Sequence, residues 1–195
     1  MNLFRILFLG YYKPARFIEA IDRAQGPFLG LNAQLLRGIL DSTLLYLPVA
    51  LLGRKPPTAP FLTFFSYDNY YFTLIWLSPI VFLMQWLIGG TVFHTLFRIF
   101  NQKSDIDKIL NITGMSGLVI AITLIVWDWA WYLIGFSNQY FLGSTHLLID
   151  IWWIALVSFG MKKSLSCPYW LGIPGSIVAL LFAMPFAVII MRSPF

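Results

Sequence analysis

Charge is scarce in this sequence. Only 11% of its 195 residues are Asp, Glu, Lys or Arg, whereas soluble domains carry about a quarter. The charges are also unevenly placed, because residues 69–97, 109–127, 129–149 and 164–191 contain none. Crossing the hydrocarbon core takes about 20 predominantly apolar residues. These runs therefore predict membrane-spanning helices and exclude a soluble domain.

Cysteine is almost absent as well, since Cys167 stands alone. A single cysteine excludes an intrachain disulfide, a Cys-x-x-Cys redox pair and a cysteine-rich metal site. The Gly-x-Ser-x-Gly, His-Glu-x-x-His, P-loop and Gly-x-Gly-x-x-Gly motifs are also missing. We therefore expect no catalytic residues, no metal, no cofactor and no enzymatic activity. Cys167 itself is either acylated or an ordinary free thiol.

Apolar helix is what the sequence has in abundance. We predict an all-α, polytopic membrane helix bundle with five transmembrane helices and an N-terminal amphipathic interfacial helix. The amphipathic segment covers residues 1–30 and lies on the cytoplasmic side. The transmembrane domain covers residues 31–195, with spans at about 31–52, 70–93, 109–133, 145–161 and 169–191. We expect Pro79 to kink the second span, and Pro174 and Pro185 to interrupt the fifth.

The amphipathic segment has a clear helical pattern. Pro14 suits the first turn of a helix, and Gly26-Pro27 suits its end. Between them, apolar residues recur at helical spacing opposite charged ones: Phe17, Ile18, Ile21 and Ala24 against Arg16, Glu19, Asp22 and Arg23. Such a helix either lies in the headgroup plane or packs under the bundle.

The orientation follows from Lys and Arg, because cytoplasmic loops carry their excess. With five spans, nine of them fall on the side of the N-terminus, and three fall on the other: Arg54, Lys55 and Arg192. We therefore predict a cytoplasmic N-terminus and an external C-terminus. The net charge of +5 follows from this topology, so we expect the lipid bilayer, and no nucleic acid, as a partner.

Two groups of ionisable residues fall inside the spans, where such residues are functional candidates. Arg37 and Asp41 are four residues apart on one helical face. They form either a self-neutralising pair in the inner half, with Arg37 reaching toward the cytoplasmic headgroups, or a binding and coupling pair. Asp128, His146 and Asp150 lie near the outer ends of spans three and four. They either converge on an outward-facing pocket that holds a cation or relays a proton, or bond separately to neighbouring helices.

The two histidines cannot share one haem iron. His94 ends the second span on the cytoplasmic side, and His146 begins the fourth on the outer side. A bis-histidine haem within one chain is therefore excluded. Gly114 and Gly117 lie inside the third span, where small residues favour close helix packing over phosphate binding.

Several short segments at the ends of the spans form a further pattern. Pro14 and Phe17 precede the first span, and Asp107-Lys108-Ile109-Leu110 enters the third, followed by Gly114. The fourth span reads Ile151-Trp152-Trp153-Ile154-Ala155-Leu156 and runs into Gly160-Met161-Lys162-Lys163-Ser164-Leu165-Ser166. In these segments the chain resembles the Ypt-interacting protein (Yip) family. It is similar to the short prokaryotic members, because the long polar N-terminal region and the Asp-Leu-Tyr-Gly-Pro signature of the eukaryotic members are missing.

This resemblance implies a Yip domain with five spans in a bacterial plasma (cell inner) membrane. It also implies a non-enzymatic scaffold or interaction partner in membrane organisation, acting with a protein partner or as a homo-oligomer. The alternative is a small transporter or channel that uses the Asp, Arg and His residues inside the spans. The residues favour this alternative because intramembrane charges mark substrate and ion pathways.

Overall fold

The computed structural model describes residues 3–56, 59–62, 65–135 and 138–191. In these residues every regular element is a helix, and no strand occurs. The N-terminal helices are α1 (Leu3–Tyr12) and α2 (Pro14–Asp22), followed by α3 (Phe28–Leu40), a π-helical segment (Asp41–Tyr46) and α4 (Leu47–Leu51). The long helices are α5 (Tyr70–Ile99), α6 (Ile106–Leu133), α7 (Gln139–Leu165) and α8 (Tyr169–Ile190).

Four of these helices, α5 to α8, are long and apolar enough to cross a membrane. The prediction of an all-helical, integral membrane protein is therefore confirmed at this level. The first predicted span, residues 31–52, takes a different form, because α3, the π-helical segment and α4 divide it. Arg192, which the sequence assigned to the outer side, lies outside the described residues.

The ends of α6 and α7 are fixed by side-chain caps. Asp105 precedes α6, and its carboxylate accepts a hydrogen bond from the backbone N–H of Lys108 at 3.2 Å. Asn138 precedes α7 and accepts from the N–H groups of Tyr140 and Phe141. Such caps satisfy donors that the first helical turn leaves free. Ser166 ends α7 in the left-handed conformation, at a φ of 57°.

The expected interruption of the fifth span is wrong. Pro174 and Pro185 both lie inside α8, which continues from Tyr169 to Ile190. A proline removes one backbone donor, but packing of an apolar helix against its neighbours maintains the rest of the turn. Here α8 packs along both α5 and α7. Pro79 likewise lies within a continuous α5.

The bundle is organised around α6, which is mostly buried while α5, α7 and α8 are mostly exposed. Its closest neighbour is α3. At their crossing, a Cβ added to Gly114 would lie 2.7 Å from the Cα of Gly30. The amide of Gln34 donates to the carbonyl of Gly114 at 2.9 Å, and the Gly30 N–H donates to Asn111 Oδ1 at 2.7 Å. Small residues therefore bring the backbones together, and polar side chains hold them, as in membrane helix pairs.

The amphipathic helix α2 packs into the bundle instead of lying apart from it. Phe17, Ile18 and Ile21 are at most 2% exposed and belong to the same core as α6 and α7. On the other face, Lys163 donates to Glu19 Oε1 at 2.7 Å, and Ser164 is hydrogen-bonded to Asp22. Helix α2 ends at Asp22, before Gly26, whose φ is +62°.

These contacts define two ends of the bundle. We call the end formed by the start of α6 and the last turn of α7, with Lys108, Lys162 and Lys163, the basic end. The opposite end is formed by the last turns of α6 and the start of α7. Arg54, which follows α4, lies at this opposite end, where its guanidinium is 4.7 Å from the Tyr132 ring centroid.

Candidate functional site: a polar cluster inside the bundle

The five candidate residues lie on three parts of the bundle. Arg37 is in the last turn of α3, and Asp41 is the first residue of the π-helical segment. Asp128 is in the last turns of α6. His146 and Asp150 are four residues apart on α7, so they share one helical face.

Asp128 and His146 are in direct contact. His146 Nε2 lies 2.7 Å from Asp128 Oδ1, and the Asp128 residue is only 5% exposed. When the carboxylate is ionised it can only accept, and Nε2 is then the donor. One residue earlier on each helix, the Trp127 indole donates to Thr145 Oγ1 at 2.9 Å. These two bonds hold α6 and α7 together at the opposite end.

Arg37 and Asp41 form an ion pair, with Arg37 Nε 3.9 Å from Asp41 Oδ2. The guanidinium carbon lies 4.1 Å from the Phe82 ring centroid on α5, a cation–π contact. The guanidinium also lies beside Gly117, near the middle of α6. The ring and the carboxylate hold the guanidinium beside the neighbouring helices, and the expectation that Arg37 reaches toward the cytoplasmic headgroups stays a prediction.

The two predicted groups are one cluster. Asp41 lies within electrostatic range of Asp128, and Asp150 lies within range of both Arg37 and His146. In the described part of the chain, the Asp150 side chain makes no hydrogen bond. We call the set the polar cluster: Arg37, Asp41, Asp128, His146 and Asp150.

The π-helical segment at Asp41 was missed by sequence reasoning. Pro48 has no N–H to donate to the Leu44 carbonyl four residues earlier. The Trp129 indole on α6 donates to this carbonyl instead, at 2.7 Å. A proline seven residues after a buried aspartate was the available signal. Wide turns of this kind occur frequently at functional sites.

No protein-family model, curated protein or solved structure matches this sequence.

The composition of the cluster suits it to binding a proton. Within the described residues, no three His, Cys, Asp or Glu side chains are arranged to hold a metal ion. Three carboxylates face one guanidinium and one imidazole, so negative charge remains in excess even when His146 is protonated. An uncompensated charge in a span costs about 2.5–3.5 kcal/mol on insertion scales. Uptake of a proton removes this excess of negative charge. The Tyr46 hydroxyl, which lies within electrostatic range of Asp41 and Asp128, is a further polar group nearby.

The remaining candidates lie elsewhere. His94 is hydrogen-bonded to Ser104 at 2.8 Å between Nδ1 and Oγ, at the basic end and away from His146. Cys167 is 1% exposed in the turn after α7, and its Sγ lies 3.5 Å from the Pro168 carbonyl oxygen. Burial raises the pKa of this thiol to about 11, which favours an unmodified thiol over acylation.

Proposed function

We propose that the chain is a five-span membrane protein of the Yip type. In addition to α5 to α8, the first span consists of α3, the π-helical segment and α4, which follow one another without a non-helical residue from 28 to 51. They hold 13, six and five residues, so the stretch is about 36 Å long at about 1.5 Å per residue. The hydrocarbon core is about 30 Å thick, so this length supports a complete crossing.

The proposed role is that of a non-enzymatic scaffold or interaction partner in a bacterial inner membrane. The observation that carries this role is the fixed position of α2 at the basic end. Lys163 bonds to Glu19 and to the carbonyl of Ala15, and the apolar face is buried. Arg16 on α2 and Arg23 directly after its last residue remain exposed. A rigidly held helix with an exposed basic face is suited to bind an acidic surface of a partner protein.

Native purification in mild detergent, with mass spectrometry of co-eluting proteins, tests this role. We expect a stoichiometric protein partner with the unmodified chain and its loss with the Arg16→Glu/Arg23→Glu double variant. Arg54→Glu, an exposed charge reversal at the opposite end, is the control and should retain the partner. A homo-oligomer without another protein would contradict a scaffold that acts through a partner protein, and equal retention by all variants would contradict binding through α2.

The polar cluster favours a second candidate, a small proton-coupled transporter or channel. Its excess of carboxylates lies between helices that cross the membrane, where such groups mark proton pathways. In proteoliposomes with an internal pH dye, this candidate requires a proton flux that Asp128→Asn and Asp150→Asn abolish. Asp68→Asn removes an exposed loop carboxylate that pairs with Lys55 at 2.5 Å and should leave the flux unchanged. Absence of any flux would exclude this candidate for protons.

A further inference from the structure

Helix α1 reaches the middle of the bundle. The Tyr11 hydroxyl donates to the carbonyl of Val119 at 2.6 Å, and the Tyr11 ring centroid lies 5.5 Å from that of Trp152. A Cβ added to Gly10 would lie 2.6 Å from Val119 Cγ2. Val119 is at the midpoint of α6, and Trp152 is at the midpoint of α7. The last turn of α1 therefore lies halfway along both helices.

Helix α2 contacts the same two helices in an ordered series that begins at the basic end. Asp22 contacts Ser164 and lies 3.7 Å from Lys108 Nζ. One turn earlier, Ile18 lies against Gly160. Asp22 lies beside Lys108, whereas Tyr11 contacts Val119. These two positions on α6 are about 16 Å apart, at about 1.5 Å per residue. The chain from Asp22 back to Tyr11 thus runs from the basic end toward the middle of the bundle.

The lengths of α6 and of the bilayer fix the depth of this position. Helix α6 has 28 residues, which is about 42 Å at about 1.5 Å per residue. The hydrocarbon core is about 30 Å thick. If α6 crosses the whole core, its midpoint is displaced from the bilayer midplane by at most about 6 Å, and so lies at least about 9 Å inside the core. The uncharged run from Ile109 to Trp127 is centred on the same part of α6.

The outward face of α1 carries large apolar side chains, with Arg5 as the one charged residue of α1. Phe8 and Tyr12 are 63% and 80% exposed and lie four residues apart, on the side of α1 away from Ile6, Leu7 and Gly10. We propose that α1 is embedded in the hydrocarbon layer, and that lipid acyl chains cover this face. The N-terminal segment is then an intramembrane element of the bundle, and not a helix of the headgroup plane.

The polar groups of the segment are compatible with this position. The Tyr11 hydroxyl, which lies at the greatest depth, has a backbone carbonyl as its partner, as polar groups in hydrocarbon require. Arg5 in α1 and Lys13 directly after it are both exposed. Their aliphatic chains can extend along the bundle and carry the charged groups toward the headgroups. The proposal holds for a scaffold and for a transporter alike, so it does not depend on the proposed function.

Spin labels in proteoliposomes measure the depth directly. In a Cys167→Ser background, cysteines replace Phe8 and Tyr12 one at a time, and collision rates with oxygen and with a water-soluble nickel chelate are compared. Met84→Cys, exposed at the midpoint of α5, is the hydrocarbon control, and Arg23→Cys at the basic end is the aqueous control. We expect the oxygen-to-nickel ratio at Phe8 and Tyr12 to match Met84 and to exceed Arg23 several-fold. A ratio at both sites equal to that of Arg23 would overturn the proposal.

The unmodified chain provides a second test, which does not depend on whether a substituted variant folds. A phospholipid with a diazirine at the middle of one acyl chain is incorporated into the proteoliposomes and activated by light. Mass spectrometry then maps the lipid adducts. Adducts on peptides containing Phe8 or Tyr12, as well as on α5, support the embedded position. Adducts on α5 with none in residues 3–12 would exclude it.

Discussion

The thiol of Cys167 illustrates how burial controls the chemistry of one residue. The thiolate is the reactive form of cysteine, and a pKa of about 11 leaves about one thiol in a thousand ionised at pH 8. The side chain is also closed off by the turn between α7 and α8. Reactivity at this residue is therefore limited both by ionisation and by access.

We predict that a maleimide reagent modifies Cys167 slowly in the folded protein at pH 7–8 and rapidly after denaturation in SDS. Because a raised pKa leaves less thiolate at every pH below it, the reaction should accelerate as the pH rises toward 10. Mass spectrometry of the intact chain measures the modification without ambiguity, since the sequence has no other cysteine. Fast labelling of the folded protein at pH 7 would contradict the buried position.

The pair of Asp128 and His146 gives a second prediction for single residues. Asp128 is buried, so His146→Ala leaves its carboxylate without the hydrogen-bond partner and should lower stability by about 1–3 kcal/mol. The Asp128→Asn/His146→Ala double variant removes the charge as well, and should be less destabilised than the two single effects together. Thermal melting in detergent measures the stability of the unmodified chain, of the single variants Asp128→Asn and His146→Ala, and of the double variant. Additive effects would mean that the two side chains do not interact.

At the scale of elements, the crossing of α3 and α6 depends on two glycines. A Cβ on Gly30 would lie 2.4 Å from the Leu110 carbonyl oxygen, which is backbone and cannot rotate away. Gly143 offers a contrast in the same bundle, because a Cβ there would meet no atom within 4 Å. The two positions separate the effect of close packing from that of helix propensity.

We predict that Gly30→Ala lowers stability by about 1–3 kcal/mol, because α3 must move away from α6. Gly143→Ala in α7 should be neutral or slightly stabilising, since alanine favours a helix over glycine by about 1 kcal/mol. Thermal melting followed by size-exclusion chromatography in detergent measures both. Equal melting temperatures for the two variants would show that the α3–α6 contact is looser than described.

Elements that depend on one local stretch of sequence were predictable, and those that depend on distant contacts were not. Apolar, uncharged runs are a local property, and they located α5 to α8. The π-helical segment depends on Pro48 and on Trp129, which is far away in sequence. The sequence did not indicate that Arg37 and Asp41 lie near Asp128, His146 and Asp150. Their proximity follows from the order in which the helices pack around α6. Periodicity marked α2 as amphipathic, but its burial against α6 and α7 is a tertiary contact.

For the whole molecule, the number of crossings and their direction are linked. Helix α5 joins the loop with Arg54 to the loop with Lys103, so a crossing by α5 places these residues on opposite sides. The stretch from 28 to 51 joins Arg23 to Arg54. If this stretch also crosses, Arg23 and Lys103 share a side. Three positions are therefore sufficient to count the crossings of the N-terminal half.

We predict that Arg23 and Lys103 face the cytoplasm and that Arg54 faces the outside, because Lys and Arg concentrate on the cytoplasmic side. Cysteines placed at these three exposed positions in a Cys167→Ser background are treated with a membrane-impermeant maleimide. In intact cells, Arg54→Cys should react at once, whereas Arg23→Cys and Lys103→Cys should react only after permeabilisation. Labelling of Arg23→Cys together with Arg54→Cys would reduce the described bundle to four crossings. Labelling of both Arg23→Cys and Lys103→Cys, but not of Arg54→Cys, in intact cells would keep both crossings but reverse the orientation, since the positive residues would then face outward.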